Sequence, residues 1–236
     1  MDLNGAQLTW FGHSAFRVVT PGGQVVLIDP WLNNPACPEQ QKKLDKVDVI
    51  LITHGHFDHV GDTIELAERH NAVVVGMFEL CSWLQKKGVK QVAPMNKGGT
   101  QKINGISVTM THAVHSSSIQ ENEDIVYLGD AAGYVVGLEN GLKLYHTGDT
   151  MVFGDMQIIR DLYGPDLVMM PIGDHFTMSP REAAYAVSLL RPKAVVPMHF
   201  ATFPVLAGTP EELRRLVAGT GVEVLELKPG ETVGRA

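Results

Sequence analysis

Apolar and polar positions alternate in short runs at the start of the chain. Gln7 to Phe11, Ala15 to Thr20 and Gln24 to Asp29 each read as a strand, and the Pro21-Gly22-Gly23 turn between the last two predicts antiparallel hairpins. Asp48 to Thr53 is a core strand. Asp62 to His70 follows as a helix, with Asp62 and Glu65 spaced as a capping box. From there strand and helix patterns interleave. Strands are expected at Ala72 to Gly76, Ile106 to Thr111, Ile125 to Gly129, Gly133 to Leu138, Leu142 to Thr147, Asp166 to Pro171 and Ala194 to Met198, with further strands at the C-terminus. Helices are expected over Phe78 to Lys87, where Gly88 ends the pattern, over Pro180 to Leu190 and over Pro210 to Ala218. The class is mixed α/β.

The pattern hints at an internal echo. The strand ending at Asp29 is followed by Asp48 opening another apolar strand, and the strand ending at Asp149 is followed by Asp166 doing the same. Ordinary turn chemistry at strand ends is the competing explanation.

Composition then bounds the picture. A chain of 236 residues with 44% hydrophobic content buries a full core, and no linker or charge run divides it, so residues 1–236 are expected to form a single domain. The formal net charge of −7 argues against a surface that tracks phosphates, and the short basic stretch Lys86-Lys87-Gly88-Val89-Lys90 is better explained as a solvated helix end. Cys37 and Cys81 are far apart and form no C-x-x-C unit, so neither a disulfide framework nor a thiolate zinc site is indicated. No leader pattern opens the chain and no apolar run approaches the ~20 residues that span a bilayer, which together favour a cytoplasmic address.

The chemistry concentrates in Thr53-His54-Gly55-His56-Phe57-Asp58-His59, directly behind the apolar run Val49-Ile50-Leu51-Ile52. In extended backbone, residues two apart share a side, so His54 and His56 can reach one cation while Asp58 and His59, past the bend, can reach a second. Such a centre needs further protein ligands. His115, Asp149 and His199 each follow a β-rich run and can supply them.

At this point the chain resembles the metallo-β-lactamase superfamily, whose signature is H-x-H-x-D-H followed by a lone His, a lone Asp and a lone His. Trp10-Phe11-Gly12-His13-Ser14-Ala15-Phe16, His115-Ser116-Ser117, Pro171-Ile172-Gly173-Asp174-His175-Phe176-Thr177-Met178 and Pro197-Met198-His199-Phe200 are similar to its compact branch of metal-dependent hydrolases, near the ascorbate-6-phosphate lactonase-like proteins. The resemblance implies a four-layer αββα sandwich, two mixed sheets flanked by helices, with metals at one edge. It also implies His54, His56 and His115 on one metal, Asp58, His59 and His199 on the other, and Asp149 between them.

Imidazole and carboxylate ligands suit zinc or manganese, and iron is compatible. Two such ions roughly 3.5 to 4 Å apart lower the pKa of a shared water from about 15.7 towards neutrality, making hydroxide the expected nucleophile. Four positive charges against Asp58, Asp149 and one hydroxide leave a net positive centre. That favours an ester, lactone or phosphodiester of a small anionic substrate. The resemblance further suggests that Asp58 carries the proton to the leaving group.

The remaining histidines divide. His175, beside Asp174 after a strand, is expected to bind substrate or polarise the scissile group, and His13 either approaches the same cleft or braces its loop. His112 competes with His115 for the lone-His position but lacks the Ser-Ser that follows it. His146 either orients Asp149 or packs in its strand, and His70 has no assigned role.

A nuclease is the runner-up reading, weakened by the missing basic surface, so a small-molecule partner is expected rather than nucleic acid or a membrane. An iron-containing redox protein and a metal binder without turnover are the other classes. A homo-oligomer is compatible with the sequence, which locates no interface.

Overall fold

The computed structural model describes residues 1–234 and builds them around two seven-stranded sheets. In chain order the strands are β1 (Gln7–Trp10), β2 (Phe16–Val19), β3 (Val25–Ile28), β4 (Val49–Leu51), β5 (Val73–Met77), β6 (Val92–Met95), β7 (Thr100–Ile103) and β8 (Ile106–His112). They continue with β9 (Ser118–Glu121), β10 (Asp124–Tyr127), β11 (Ala132–Gly137), β12 (Lys143–His146), β13 (Leu167–Pro171), β14 (Ala194–Met198), β15 (Glu223–Val224) and β16 (Thr232–Val233). The helices are α1 (Phe57–Val60), α2 (Thr63–His70), α3 (Phe78–Lys86), α4 (Met156–Tyr163), α5 (Pro180–Leu190) and α6 (Pro210–Leu216).

The first sheet has the order β16-β1-β2-β3-β4-β5-β6 and the second β15-β14-β13-β12-β11-β8-β7, while β9 and β10 form a separate hairpin. Alternation along the strands of the second sheet decides the layers. Leu167 and Met169 of β13 face the core shared with the first sheet, whereas Val168 and Met170 face a second core with α4, α5 and α6. Leu66 of α2 and Leu80 and Leu84 of α3 join the first core, so helices flank both sheets. Strands β4, β13 and β14 are buried throughout, which is why their sequences read as continuous apolar runs. Among the described residues no helix is long and apolar enough to cross a membrane.

The internal echo is structural. In each sheet an antiparallel half gives way to a parallel half, at β3–β4 in the first and β12–β13 in the second. At both junctions an aspartate closes the pair. The Asp48 carboxylate accepts from the Val25 N–H at 2.7 Å, and the Asp166 carboxylate accepts from the Lys143 N–H at 3.0 Å.

Two local expectations change. The capping box at Asp62 does not form, because that carboxylate accepts from the Asn33 backbone N–H at 2.9 Å instead. The box forms at α5, where Ser179 and Glu182 exchange hydrogen bonds. Strands β6, β7 and β9 and helix α4 add to the elements expected from the sequence, and the bend inside the histidine-rich segment is the single turn α1.

Candidate metal centre

His54 follows β4, His115 follows β8, Asp149 follows β12 and His199 follows β14; strand pairing brings the last three ends to one edge of the second sheet, and the segment after β4 of the first sheet joins them through the Ala132 N–H, which donates to the Thr53 carbonyl at 3.0 Å. Two groups of donor atoms form there, and a third set, Asp29 with His54 and His59, overlaps both. His54, His56 and His115 make one, and His13, Asp58, His59 and His199 make the other, with the atoms of each group within 4.8 Å of one another. Asp149 lies between them. Its Oδ2 is 3.0 Å from His199 Nε2 and 3.2 Å from His59 Nε2 on one side, and 3.7 Å from His115 Nε2 and 4.0 Å from His54 Nε2 on the other.

A cation fits this arrangement. Asp149 Oδ1, His59 Nε2 and His199 Nδ1 are buried without a hydrogen bond, and buried polar atoms left unpaired are uncommon. The donors are imidazoles and carboxylates, a set that suits borderline divalent ions.

Much of the chain's effort goes into aiming these donors. Asp29, fully buried, accepts from His59 Nδ1–H at 2.7 Å, from the Thr53 hydroxyl at 2.6 Å and from the Thr53 N–H at 2.8 Å. The Thr53 oxygen in turn accepts a hydrogen bond from His54 Nδ1–H at 3.0 Å, so Asp29 orients a histidine in each group and turns both Nε2 atoms towards the centre, where His54 Nε2 lies 3.0 Å from His56 Nδ1. Sequence reasoning missed Asp29 because turn chemistry was sufficient explanation for an Asp at a strand end. A carboxylate directly behind the buried run Val26–Ile28 was the available signal.

His146 braces the turn that carries Asp149. Its Nδ1 accepts from the Gly148 N–H at 3.1 Å while Nε2–H donates to the Ser14 carbonyl at 3.0 Å. Gly148 is required at φ 65°, since a Cβ there would meet the Ala132 carbonyl oxygen at 2.3 Å. Three non-glycine residues of the site, His13, Asp29 and His199, also hold left-handed backbone, at φ 51°, 46° and 54°.

Electrostatics separates the groups further. Burial pushes His54 well down and lowers His56 and His115, keeping their imidazoles neutral with lone pairs available. His59 moves the other way: burial disfavours its charge, but Asp149 and Asp29 outweigh it and raise the imidazole well above its ordinary range. For Asp149, burial is likewise outweighed by His199 and His59, which hold the carboxyl well down. Asp58 is held at about 2 because the His13 hydrogen bond and His59 overcome its burial.

His13 does not reach the cleft. It is fully buried, its pKa is lowered to about 4 by burial, and its Nε2–H donates to Asp58 at 2.9 Å while Nδ1 accepts from the Thr202 hydroxyl at 3.0 Å. In this geometry His13 braces Asp58. His175 is also outside the cleft lining; it is exposed, with its ring 4.4 Å from that of Phe176. His112 is exposed beside Lys97, away from both groups.

A cleft of about 520 Å³ opens over the centre. His56, Asp58, His115, Asp149, His199 and Ser116 give its polar lining, and Phe57, Phe176, Phe203 and Val205 its apolar lining.

The fold and this donor set define a metal-dependent hydrolase of the metallo-β-lactamase fold. Residues 24–200 match the Beta-lactamase superfamily domain, and the chain belongs to that superfamily and, within it, to the UPF0173 metal-dependent hydrolases. It is 59% identical to such a hydrolase of Koribacter versatilis over 98% of this chain and 99% of the relative, and 52% identical to one of Roseiflexus castenholzii over 96% of each. Igni18, a metallo hydrolase of the archaeon Ignicoccus hospitalis, superposes with a TM-score of 0.87 at 38% identity, covering 97% of both chains.

Proposed function

We propose that the chain cleaves an ester, lactone or phosphodiester bond of a small molecule at a centre for two divalent cations. His54, His56 and His115 hold one, Asp58, His59 and His199 hold the other, and Asp149 serves both. The observation that carries this reading is the position of Asp149 Oδ2 between the two histidine groups. Zinc or manganese suits the donors, with iron as the redox alternative. When bound, such a pair supplies Lewis acidity and a water of lowered pKa.

The chain's residues do the rest. Asp29 and His13 hold the donors in register, and Asp58, which lines the cleft, takes the proton of the attacking water and returns it to the leaving oxygen. No Lys or Arg lines the cleft, which supports a small molecule over nucleic acid. Two buried, unpaired thiols at Cys37 and Cys81 agree with a reducing, cytoplasmic compartment.

Elemental analysis of the purified protein, paired with hydrolysis of lactones, thioesters, carboxylate esters and phosphodiesters before and after chelation, tests the proposal. About two equivalents of zinc or manganese with chelator-sensitive turnover is the expected result. Iron without hydrolysis transfers support to the redox reading.

A further inference from the structure

We infer that the substituent next to the scissile bond is uncharged and apolar, an aryl or medium-length alkyl group, so that the site selects against phosphorylated or carboxylated substrates. This deepens the hydrolase reading above and rests on it for turnover.

Four observations converge. Phe57, Phe176 and Val205 on the cleft wall are 61%, 56% and 47% exposed, an apolar surface that a hydrocarbon group would cover. A second groove of about 510 Å³ adjoins the first and shares His56 and Phe57 with it, adding Ile119 and the 77% exposed Ile125 from the β9–β10 hairpin. No Lys or Arg lines either groove, although phosphate and carboxylate groups are ordinarily held by such side chains. Finally, the aromatic wall is braced: Trp31 meets Phe57 edge-on at 5.6 Å and stacks on Phe203 at 6.0 Å, so the surface is in place before a ligand arrives.

The positive balance of a loaded centre acts on the reacting bond itself, where an oxyanion develops. The walls beyond it recognise hydrocarbon. In the reaction, the oxygen of water bonds to the acyl carbon, the acyl–oxygen bond breaks, and the water proton ends on the departing oxygen.

The test uses the full chain loaded with zinc or manganese and 4-nitrophenyl esters of acetate, butyrate and hexanoate, together with the hemisuccinate ester and its uncharged pentanoate counterpart. At up to ~4-fold per buried methylene, kcat/KM should rise at least about tenfold from acetate to hexanoate, and the hemisuccinate should fall at least about tenfold below pentanoate. Phe57→Ala and Phe203→Ala should flatten the series. In parallel, tryptophan fluorescence measures binding of 2-butanone and 2-octanone, which cannot be hydrolysed; octanone should bind more tightly, and Phe57→Ala should remove the difference.

A flat series, a preferred hemisuccinate, or equal ketone affinities in parent and variant overturns the inference. If no ester is turned over while octanone still binds through Phe57, the ester branch of the functional reading fails and the apolar site stands.

Discussion

The two donor groups share an edge and a bridging carboxylate, yet they are held in unlike ways. Around Asp58, His59 and His199 nearly everything is buried, and the fixing is redundant: Asp29 holds His59, His13 with Thr202 behind it holds Asp58, and left-handed backbone sets His13, Asp29 and His199. Around His54, His56 and His115 only His54 has such backing, through Thr53. His56 has a 3.3 Å contact to Ser116, and both His56 and His115 are only half-buried, whereas His59 and His199 are buried. Left-handed non-glycine backbone costs of order 1–3 kcal/mol per residue, so the chain carries its strain on the buried side. Under the proposed two-cation reading, the difference predicts a division of labour: a preset half that holds its cation more firmly, and a more open half that exchanges it more readily.

The largest effect should come from the residue the two halves share. Asp149→Ala should reduce bound metal from about two equivalents to under about one half. Groups behind the ligands are themselves worth ~10–100-fold, so turnover should fall at least about 100-fold. Elemental analysis beside the hydrolysis assay checks both. A variant that kept one full equivalent would show that Asp149 belongs to a single group, and the description of a shared ligand would go.

Asp29→Asn comes next, because Asp29 orients histidines of both groups from behind. The amide preserves volume but presents an N–H where His59 Nδ1–H or the Thr53 hydroxyl needs an acceptor. Affinity for zinc, measured by competition with a chelator, should drop ~10–100-fold. The loss should be greater for the more tightly held equivalent, since the contact to His59 is direct and that to His54 passes through Thr53. An equal loss from both equivalents would mean that the backing of the two halves does not differ.

Stepwise removal of metal reads the comparison without any substitution. Rising chelator concentration should strip the loaded protein in two phases, the open half first, with midpoints separated by about tenfold, the lower end of what such backing contributes. A single phase would place the two halves on equal terms.

How much of this was open to sequence reasoning follows the same divide between what a strand end displays and what packs behind it. The ligand string from His54 to His59 announces itself because several donors crowd one loop, and the lone His115, Asp149 and His199 each follow a β-rich run. Parallel strands β4, β13 and β14 were equally plain, since burial on both faces leaves an uninterrupted apolar run. Groups that act through another residue were hidden. Asp29 and Thr202 are ordinary residues until the fold brings them to His59 and His13, and nothing in the string marks Thr53 as the support of its neighbour His54. The same holds for α4, whose Asp155 makes no capping bond and whose Ile158 and Leu162 stay exposed beside buried Met156 and Ile159, blurring the periodic stripe. Strand β6 carries Pro94, which the sheet's edge accommodates because a missing N–H there breaks no ladder.

His175→Ala should have the smallest effect, and it separates cleft from rim. From the sequence this imidazole was expected to touch substrate; in the structure it is exposed, outside the cleft lining and beside Phe176, which belongs to that lining. Its removal takes away no donor from either group, so metal content should stay at about two equivalents, and kcat/KM should fall by less than about threefold, within the ~0.5 kcal/mol usual for exposed substitutions. The effect that does appear should lie in KM, because a shifted Phe176 alters the wall against which substrate rests and not the groups that move its proton. A loss beyond tenfold in kcat with both equivalents retained would instead bring the His175 imidazole onto the reacting group. The open half of the centre would then include a residue from beyond β13, and the boundary between the two halves would have to be redrawn to include the second sheet's rim.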